Sequence, residues 1–146
     1  MRTDSRLSRM LHALIHMDQA DGPLTSEMIA TMLGTNPVVV RRLLGGLRDG
    51  GYVQSEKGHG GGWALSVALD AITLLDVYRA VGEPPLFSDL VSEDAPECLV
   101  EQAVNAHLSA ALKDAEAALL ARFGEVTLGM LSQDFEAKAA RLRKPR

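Results

Sequence analysis

The chain of 146 residues is 47% hydrophobic and 23% charged, which is ordinary for a soluble globular protein. No apolar run approaches the ~18 residues that span a bilayer, and the N-terminal residues lack the apolar stretch of a signal peptide, so we expect no membrane partner. The single cysteine, Cys98, excludes an internal disulfide and predicts the reducing cytoplasm as the location.

The net charge of −4 argues at first against a nucleic-acid partner, but the charges are unevenly distributed. Residues 1–66 carry seven cations and six anions, residues 67–123 three cations and ten anions, and residues 124–146 five cations and three anions. Salt screens charges beyond about 8–10 Å, so the local charge at a contact surface decides its attraction for phosphate. The N-terminal half is therefore compatible with DNA binding at modest non-specific affinity.

A first helix is predicted over residues 5–20, where apolar residues recur at the spacing of one helix face. The turn at residues 21–23, Asp-Gly-Pro, ends it. His12 and His16 lie four residues apart on one face and resemble a metal pair, but the sequence offers no third ligand nearby. We favour two histidines on a helix surface or at an interface.

A helix-turn-helix is predicted next. The second helix begins at Thr25 or Ser26 and ends at Gly34, which supplies the turn. Asn36 is a preferred N-cap, and Pro37 suits the first position of the third helix. Two helices and a tight turn within about 25 residues have helix-turn-helix spacing.

The third helix combines an apolar face with a basic one. The face that we expect to be buried contains Val40, Leu43, Leu44 and Leu47. The others include Val38 and Val39 beside Arg41 and Arg42. In a DNA major groove, valine can contact a thymine methyl group and arginine can reach guanine or phosphate. The alternative, in which both valines pack on the first helix, stays open.

A hairpin follows, with short strands at residues 52–55 and 63–65 and a glycine-rich tip between them. The tip lacks the Lys-Ser/Thr pair of a phosphate-binding loop. A bare backbone flanked by Lys57 and His59 suits close approach to a minor groove and its phosphates. A recognition helix followed by such a hairpin predicts a winged helix-turn-helix.

The C-terminal half is predicted to contain three elements. A helix over residues 70–81 has a capping box, and the acidic, proline-rich residues 82–97 form an irregular loop. A long helix over residues 98–123 then spans about 37 Å. A short helix from Thr127 and a basic tail over residues 138–146 end the chain.

The long helix carries an apolar, alanine-rich seam that includes Val104, Leu108, Ala111, Leu112, Ala115 and Leu119. So long a stripe needs a partner on a domain this small, and a second copy related by a two-fold axis supplies one. Packing on the first helix of the same chain is the alternative. The predicted fold is mainly α with a small β-hairpin wing: a winged helix-turn-helix at 1–81, an acidic loop at 82–97, and a dimerisation helix with a C-terminal helix and tail at 98–146.

Together these motifs resemble the Rrf2 family of bacterial winged-helix transcription regulators. The resembling residues are Arg41-Arg42-Leu43-Leu44 with Leu47-Arg48, Gly51-Tyr52-Val53, Lys57-Gly58-His59-Gly60-Gly61-Gly62-Trp63-Ala64-Leu65, Ile72-Thr73-Leu74-Leu75-Asp76-Val77, Cys98-Leu99 and Val126-Thr127-Leu128. The glycine run of the wing is the most specific of them. The resemblance implies a homodimer that binds a partly palindromic operator in double-stranded DNA.

The resemblance also implies which residues contact DNA. The reading positions of the third helix are Val38, Val39, Arg41 and Arg42, and those of the wing are Lys57, His59 and Gly60. Lys57 stands where the family usually has arginine, and His59 where it usually has proline. Ser26 and Asn36, at the starts of the second and third helices, are expected to contact phosphates.

Several members of the family hold an iron–sulphur cluster through three cysteines before the long helix, and Cys98 resembles the last of these. One thiolate cannot hold a cluster in one chain, so we expect no cofactor and no metal. A cluster bridged across the dimer and a lone redox or alkylation sensor are alternatives. A plain buried cysteine is the interpretation that we favour.

These patterns predict a sequence-specific transcriptional regulator, a homodimeric repressor that blocks access of polymerase. No arrangement of serine, histidine and aspartate, no nucleophile elbow and no metal spacing indicates an enzyme. The alternative is a winged-helix protein-interaction module that does not bind DNA. Neither hypothesis names an effector, because the sequence shows no recognisable effector site.

Overall fold

The computed structural model describes residues 4–58, 61–87, 90–92 and 94–143. These residues form six α-helices, one antiparallel hairpin and one 3-10 turn. In chain order they are α1 (Arg6–Gln19), α2 (Ser26–Leu33), α3 (Pro37–Asp49), β1 (Val53–Glu56), β2 (Gly62–Leu65), the 3-10 turn (Leu69–Ala71), α4 (Leu74–Ala80), α5 (Leu99–Glu125) and α6 (Leu128–Arg143). The predicted class, mainly helical with a hairpin wing, is confirmed.

The chain divides into two compact units. The first contains Met1–Pro84 and Gly124–Arg146, and the second contains Pro85–Phe123. The core of the first unit lies where α1 packs against α2, α3, α4, β2 and α6. Its largest fully buried side chains are Met10, Leu14, Ile29, Leu44, Leu47, Ile72 and Leu128.

Local side-chain bonds begin α2 and α3 as predicted. The hydroxyl of Thr25 accepts a hydrogen bond from the backbone N–H of Met28 at 3.2 Å, so Thr25 rather than Ser26 caps α2. The carboxamide of Asn36 accepts one from the backbone N–H of Val39 at 3.0 Å. These caps satisfy amide groups that have no partner within their own helix. They hold the first turns of the two helices in place.

The wing is a two-stranded hairpin in which Val53 pairs with Leu65 and Glu56 with Gly62. Leu24, just before α2, forms an antiparallel β-bridge with Trp63 of β2. The backbone N–H of Trp63 donates to the Leu24 carbonyl at 2.7 Å, and the N–H of Leu24 donates to the Trp63 carbonyl at 3.0 Å. A side chain at Gly62 would collide with the backbone of Leu24, so this close approach requires glycine. The wing is thereby attached directly to the start of the helix-turn-helix.

The predicted capping box of α4 is confirmed. The Thr73 hydroxyl accepts from the backbone N–H of Asp76 at 3.1 Å, and the Asp76 carboxylate accepts from the N–H of Thr73 at 2.9 Å. The helix is shorter than the predicted residues 70–81, because a separate 3-10 turn occupies Leu69–Ala71. Gly46 of α3 touches the Ala80 carbonyl where a side chain would collide, so α3 and α4 pack closely.

The C-terminal segment corrects the prediction of a short helix with a tail. Helix α6 has 16 residues and continues through Arg143. It packs on the 3-10 turn and on α1, with Leu128, Gly129 and Ser132 buried. Strong helix formers, chiefly alanine, glutamate, lysine and arginine, carry it through residues 136–143. Helix α6 therefore lies in the unit of the winged helix, whereas the sequence-based division grouped it with the long helix.

Helix α5, by itself, is 27 residues long, about 40 Å, and has no buried residue. Within the predicted seam, Leu108, Leu112 and Leu119 are half-buried, whereas Val104, Ala111 and Ala115 are exposed. Among the described residues, no helix is both long and apolar enough to cross a membrane.

Candidate nucleic-acid interface

One side of α3 presents an exposed stripe of Val38, Arg41 and Arg42. These residues are three and four positions apart, so helical geometry places them on one face. Val38 is 60% exposed, although it is apolar, and the Arg41 side chain is 52% exposed. We call these three residues the recognition face. An exposed valine beside two guanidinium groups has the chemistry that contacts base edges in a major groove.

Val39 does not belong to the recognition face. It is half-buried and packs against the hydrophobic core of the first unit. The prediction that both valines point outward is therefore wrong for Val39. Val38 and Val39 differ by about 100° around the helix, so one points outward while the other packs inward.

An ion pair that the sequence analysis did not identify holds Arg41. A guanidinium nitrogen of Arg41 donates a hydrogen bond to a carboxylate oxygen of Glu27 on α2 at 2.8 Å. Exposed pairs of this kind contribute at most about 1 kcal/mol to stability, so its main effect is on where the guanidinium lies. Fourteen residues separate the partners, and only the angle between α2 and α3 brings them together.

Arg42 shares a pocket with a second arginine. The pocket, of about 260 Å³, is lined by Arg42, Val39 and Arg6 of α1, among others. The Arg6 guanidinium donates to the Asp4 carboxylate at 2.7 Å, which raises the pKa of Arg6 and lowers that of Asp4. Arg42 has no ion-pair partner among the described residues, so its charge is available to an anionic ligand such as a phosphate.

The structure does not place Ser26 at a surface that DNA can reach. Ser26 is 7% exposed, and its hydroxyl accepts a hydrogen bond from the indole N–H of Trp63 at 3.0 Å. The prediction of a phosphate contact does not fit this position, because the hydroxyl links α2 to β2 within the core. Asn36 is exposed, and its side-chain carbonyl already caps α3.

Of the predicted wing contacts, Lys57 is exposed at the end of the outer strand, and His59 and Gly60 lie outside the described residues. Gly58 has a φ of +95°, a left-handed conformation that favours glycine. Arg48, at the end of α3, lies over the ring of Trp63 at 5.9 Å from its centroid. The C-terminal end of α3 therefore lies near Trp63 of β2.

Cys98 is exposed, so the expectation of a plain buried cysteine is wrong. It directly precedes α5, and its backbone N–H donates to the carbonyl of Ala95 at 2.9 Å. None of the 27 residues of α5 is buried, and the sequence pattern did not reveal this.

A helix-turn-helix with an exposed basic recognition face and an attached hairpin defines a winged-helix DNA-binding protein. Residues 3–134 match the Rrf2 family of transcriptional regulators, whose family description is "Iron-dependent Transcriptional regulator". The chain belongs to this family. The family and the relatives described next are transcriptional regulators rather than enzymes, as the sequence predicted.

Individual proteins show the same likeness. The chain is 32% identical over 118 residues to YwnA of Bacillus subtilis, which carries the name HTH-type transcriptional regulator, covering 80% of this chain and 86% of YwnA. A Lactobacillus plantarum structure named as a transcriptional regulator superposes with a TM-score of 0.75 at 23% identity, covering 95% of each chain. IscR of T. potens superposes with a TM-score of 0.64 at 18% identity, covering 100% of this chain and 93% of IscR. The two structural likenesses show a common fold.

The residues present do not fit an iron–sulphur cluster held by one chain. The sequence contains one cysteine, and four thiolates are the usual ligand set. The described residues contain no group of three or more His, Cys, Asp or Glu side chains placed to hold a metal ion. The family's iron dependence therefore has no matching set of ligands within the described part of this chain.

Proposed function

We propose that the protein is a homodimeric repressor that binds a partly palindromic operator. The observation that carries this proposal is the recognition face, in which Val38, Arg41 and Arg42 are exposed together on the second helix of a helix-turn-helix. In this class the second helix enters the major groove, and residues near its N-terminus contact base edges. Val38 and Arg41 lie in the first two turns of α3.

The wing supplies the second contact of the proposed complex. Lys57, with His59 and Gly60 of the tip, approaches the minor groove and its phosphates. Such contacts position a protein on DNA and carry little sequence information. Base specificity is therefore assigned to α3, and affinity is shared between α3 and the wing.

Dimerisation is proposed because the apolar seam of α5 is at least partly exposed along its length. No residue of its 27 is buried, and Val104 is 49% exposed. Two copies of α5, paired along the seam, would cover these side chains and join two winged helices in one molecule. Half-sites one helical turn apart, about 34–36 Å, or a multiple of that distance, follow from two-fold symmetry.

Two further features complete the proposal. A repressor of this kind acts by blocking the access of polymerase to the DNA. Its proposed location is the cytoplasm. With one cysteine per chain, we propose that it regulates without the family's three-cysteine cluster. The signal that controls its DNA binding would then be something other than the presence of an iron–sulphur cluster.

The proposal is tested by selecting bound sequences from a random DNA pool and measuring affinity for the selected site by fluorescence anisotropy. Arg42→Ala is expected to cost about 1–3 kcal/mol on that site, because it removes a base or phosphate contact. Arg141→Ala, on the exposed side of α6, is the matched control and should bind as the wild type does. No selected sequence and no shift at low salt would favour a protein-interaction module instead.

A further inference from the structure

Two histidines on α1 converge outside the recognition face. The Nε2 atoms of His12 and His16 are 2.8 Å apart, and the ring centroids are 4.6 Å apart. Spacing of four residues explains why the rings meet, but it does not set which ring nitrogens face each other. The contact is a hydrogen bond in which one Nε2–H donates to the lone pair of the other Nε2, and a metal ion bound by both nitrogens would replace that proton.

The pair lies at a pocket that contains no charged competitor for its nitrogens. Both rings line this pocket of about 270 Å³ between α1 and α6, whose other lining residues are Leu11, Ile15, Gln19, Leu131 and Phe135. None of these other residues carries a carboxylate or an ammonium group that would pair with an imidazole nitrogen.

We propose that His12 and His16 bind a divalent late transition metal ion through their Nε2 atoms, with Ni²⁺ and Cu²⁺ preferred to Zn²⁺. Metal–imidazole bonds are about 2.0–2.1 Å long. With nitrogens 2.8 Å apart, such bonds meet at the metal at about 90°, the angle between adjacent ligands in tetragonal and octahedral sites. Tetrahedral Zn²⁺ would need a separation of about 3.3 Å, so the rings would have to move apart.

The remaining coordination positions fall to water, because the described residues offer no third histidine, cysteine, aspartate or glutamate in reach. Affinity of nitrogen ligands for divalent metals rises from Fe²⁺ through Ni²⁺ to Cu²⁺, so iron is the weaker occupant here. The two histidines are not part of the recognition face. The existence of the metal site does not depend on the proposed repressor function.

The test is calorimetric titration of the tag-free full chain with NiCl₂ and, separately, with ZnCl₂. We expect one Ni²⁺ per chain, binding at least tenfold weaker in His12→Gln and in His16→Gln, and unchanged in the matched control His107→Gln on α5. Electron paramagnetic resonance of the Cu²⁺ complex should show coupling to two imidazole nitrogens in the wild type and to one in each variant. Thermal unfolding of each variant confirms that it is folded.

Three results would overturn the proposal: no saturable uptake of Ni²⁺ or Cu²⁺, retention of wild-type affinity by both single variants, or tighter binding of Zn²⁺ than of Ni²⁺. Because none of these measurements involves DNA, they leave the assignment of the recognition face untouched. Conversely, loss of operator binding in Arg42→Ala would not alter the metal titration.

Discussion

Ser26 shows how one hydroxyl can serve the core where a surface contact was expected. Its oxygen is the hydrogen-bond acceptor for the buried indole N–H of Trp63. Replacing Ser26 by alanine would leave that N–H without this acceptor, and a buried, unsatisfied donor costs about 1–3 kcal/mol. We therefore predict that Ser26→Ala lowers the free energy of unfolding by this amount in urea titrations.

The same variant should bind the selected operator as the wild type does under conditions where it is folded. Ser66→Ala, at an exposed position, is the control for loss of a hydroxyl alone and should change neither quantity. Weaker operator binding without loss of stability would restore Ser26 as a phosphate contact.

Glu27 is assigned a positioning role through Arg41. Without its carboxylate, the guanidinium would sample more orientations, so Glu27→Ala should lower the ratio of operator affinity to non-specific affinity. We expect a change of up to about fivefold, because exposed ion pairs are worth at most about 1 kcal/mol. Anisotropy titrations with the selected site and with an unrelated duplex give this ratio.

Glu27→Gln separates position from charge. Glutamine removes the negative charge but keeps an oxygen that can accept from Arg41. Specificity close to that of the wild type in Glu27→Gln supports positioning. If both variants lose the same amount of specificity, the role of Glu27 is purely electrostatic.

For the wing, the salt dependence of DNA affinity shows whether Lys57 contacts a phosphate group. Each phosphate contact contributes a slope of about −0.9 to the dependence of log affinity on log salt concentration. Lys57→Ala should therefore reduce the magnitude of the slope by about one while leaving the preferred operator sequence the same. The control is Lys138→Ala on α6, whose slope should match that of the wild type; equal slopes in all three proteins would remove Lys57 from the interface.

At the scale of the molecule, assembly depends on the exposed seam of α5. Ala115 is exposed within the chain, so Ala115→Glu should not disturb the fold of a single copy, but it would place two like charges in a paired seam. We predict a wild-type mass near twice 15.7 kDa by light scattering and a shift of Ala115→Glu towards the monomer, with loss of operator affinity.

Ala117→Glu is the matched control for that experiment. Ala117 is also exposed, and two residues along a helix place it on the opposite side of α5 from Ala115. It should remain dimeric. Monomeric wild type, or equal behaviour of the two variants, would contradict pairing along this seam.

Features set by neighbours in sequence could be predicted without coordinates. The caps at Asn36 and at Thr73 with Asp76 depend on side chains that reach the backbone three residues on, so sequence spacing alone reveals them. The same holds for the apolar face of α3 and the glycine-rich wing. These local patterns were enough to predict the helix order, the hairpin and the resemblance to the Rrf2 family.

Other features depend on which distant residues the fold brings together. The partners of Ser26 and Arg41 are 37 and 14 residues away in the sequence. The exposure of Cys98 was likewise not indicated by its sequence neighbours. The orientation of the two imidazole rings on α1 depends on side-chain rotamers within a pocket formed with α6. The tertiary structure decided these points, because packing selects one arrangement from several that the local sequence allows equally well.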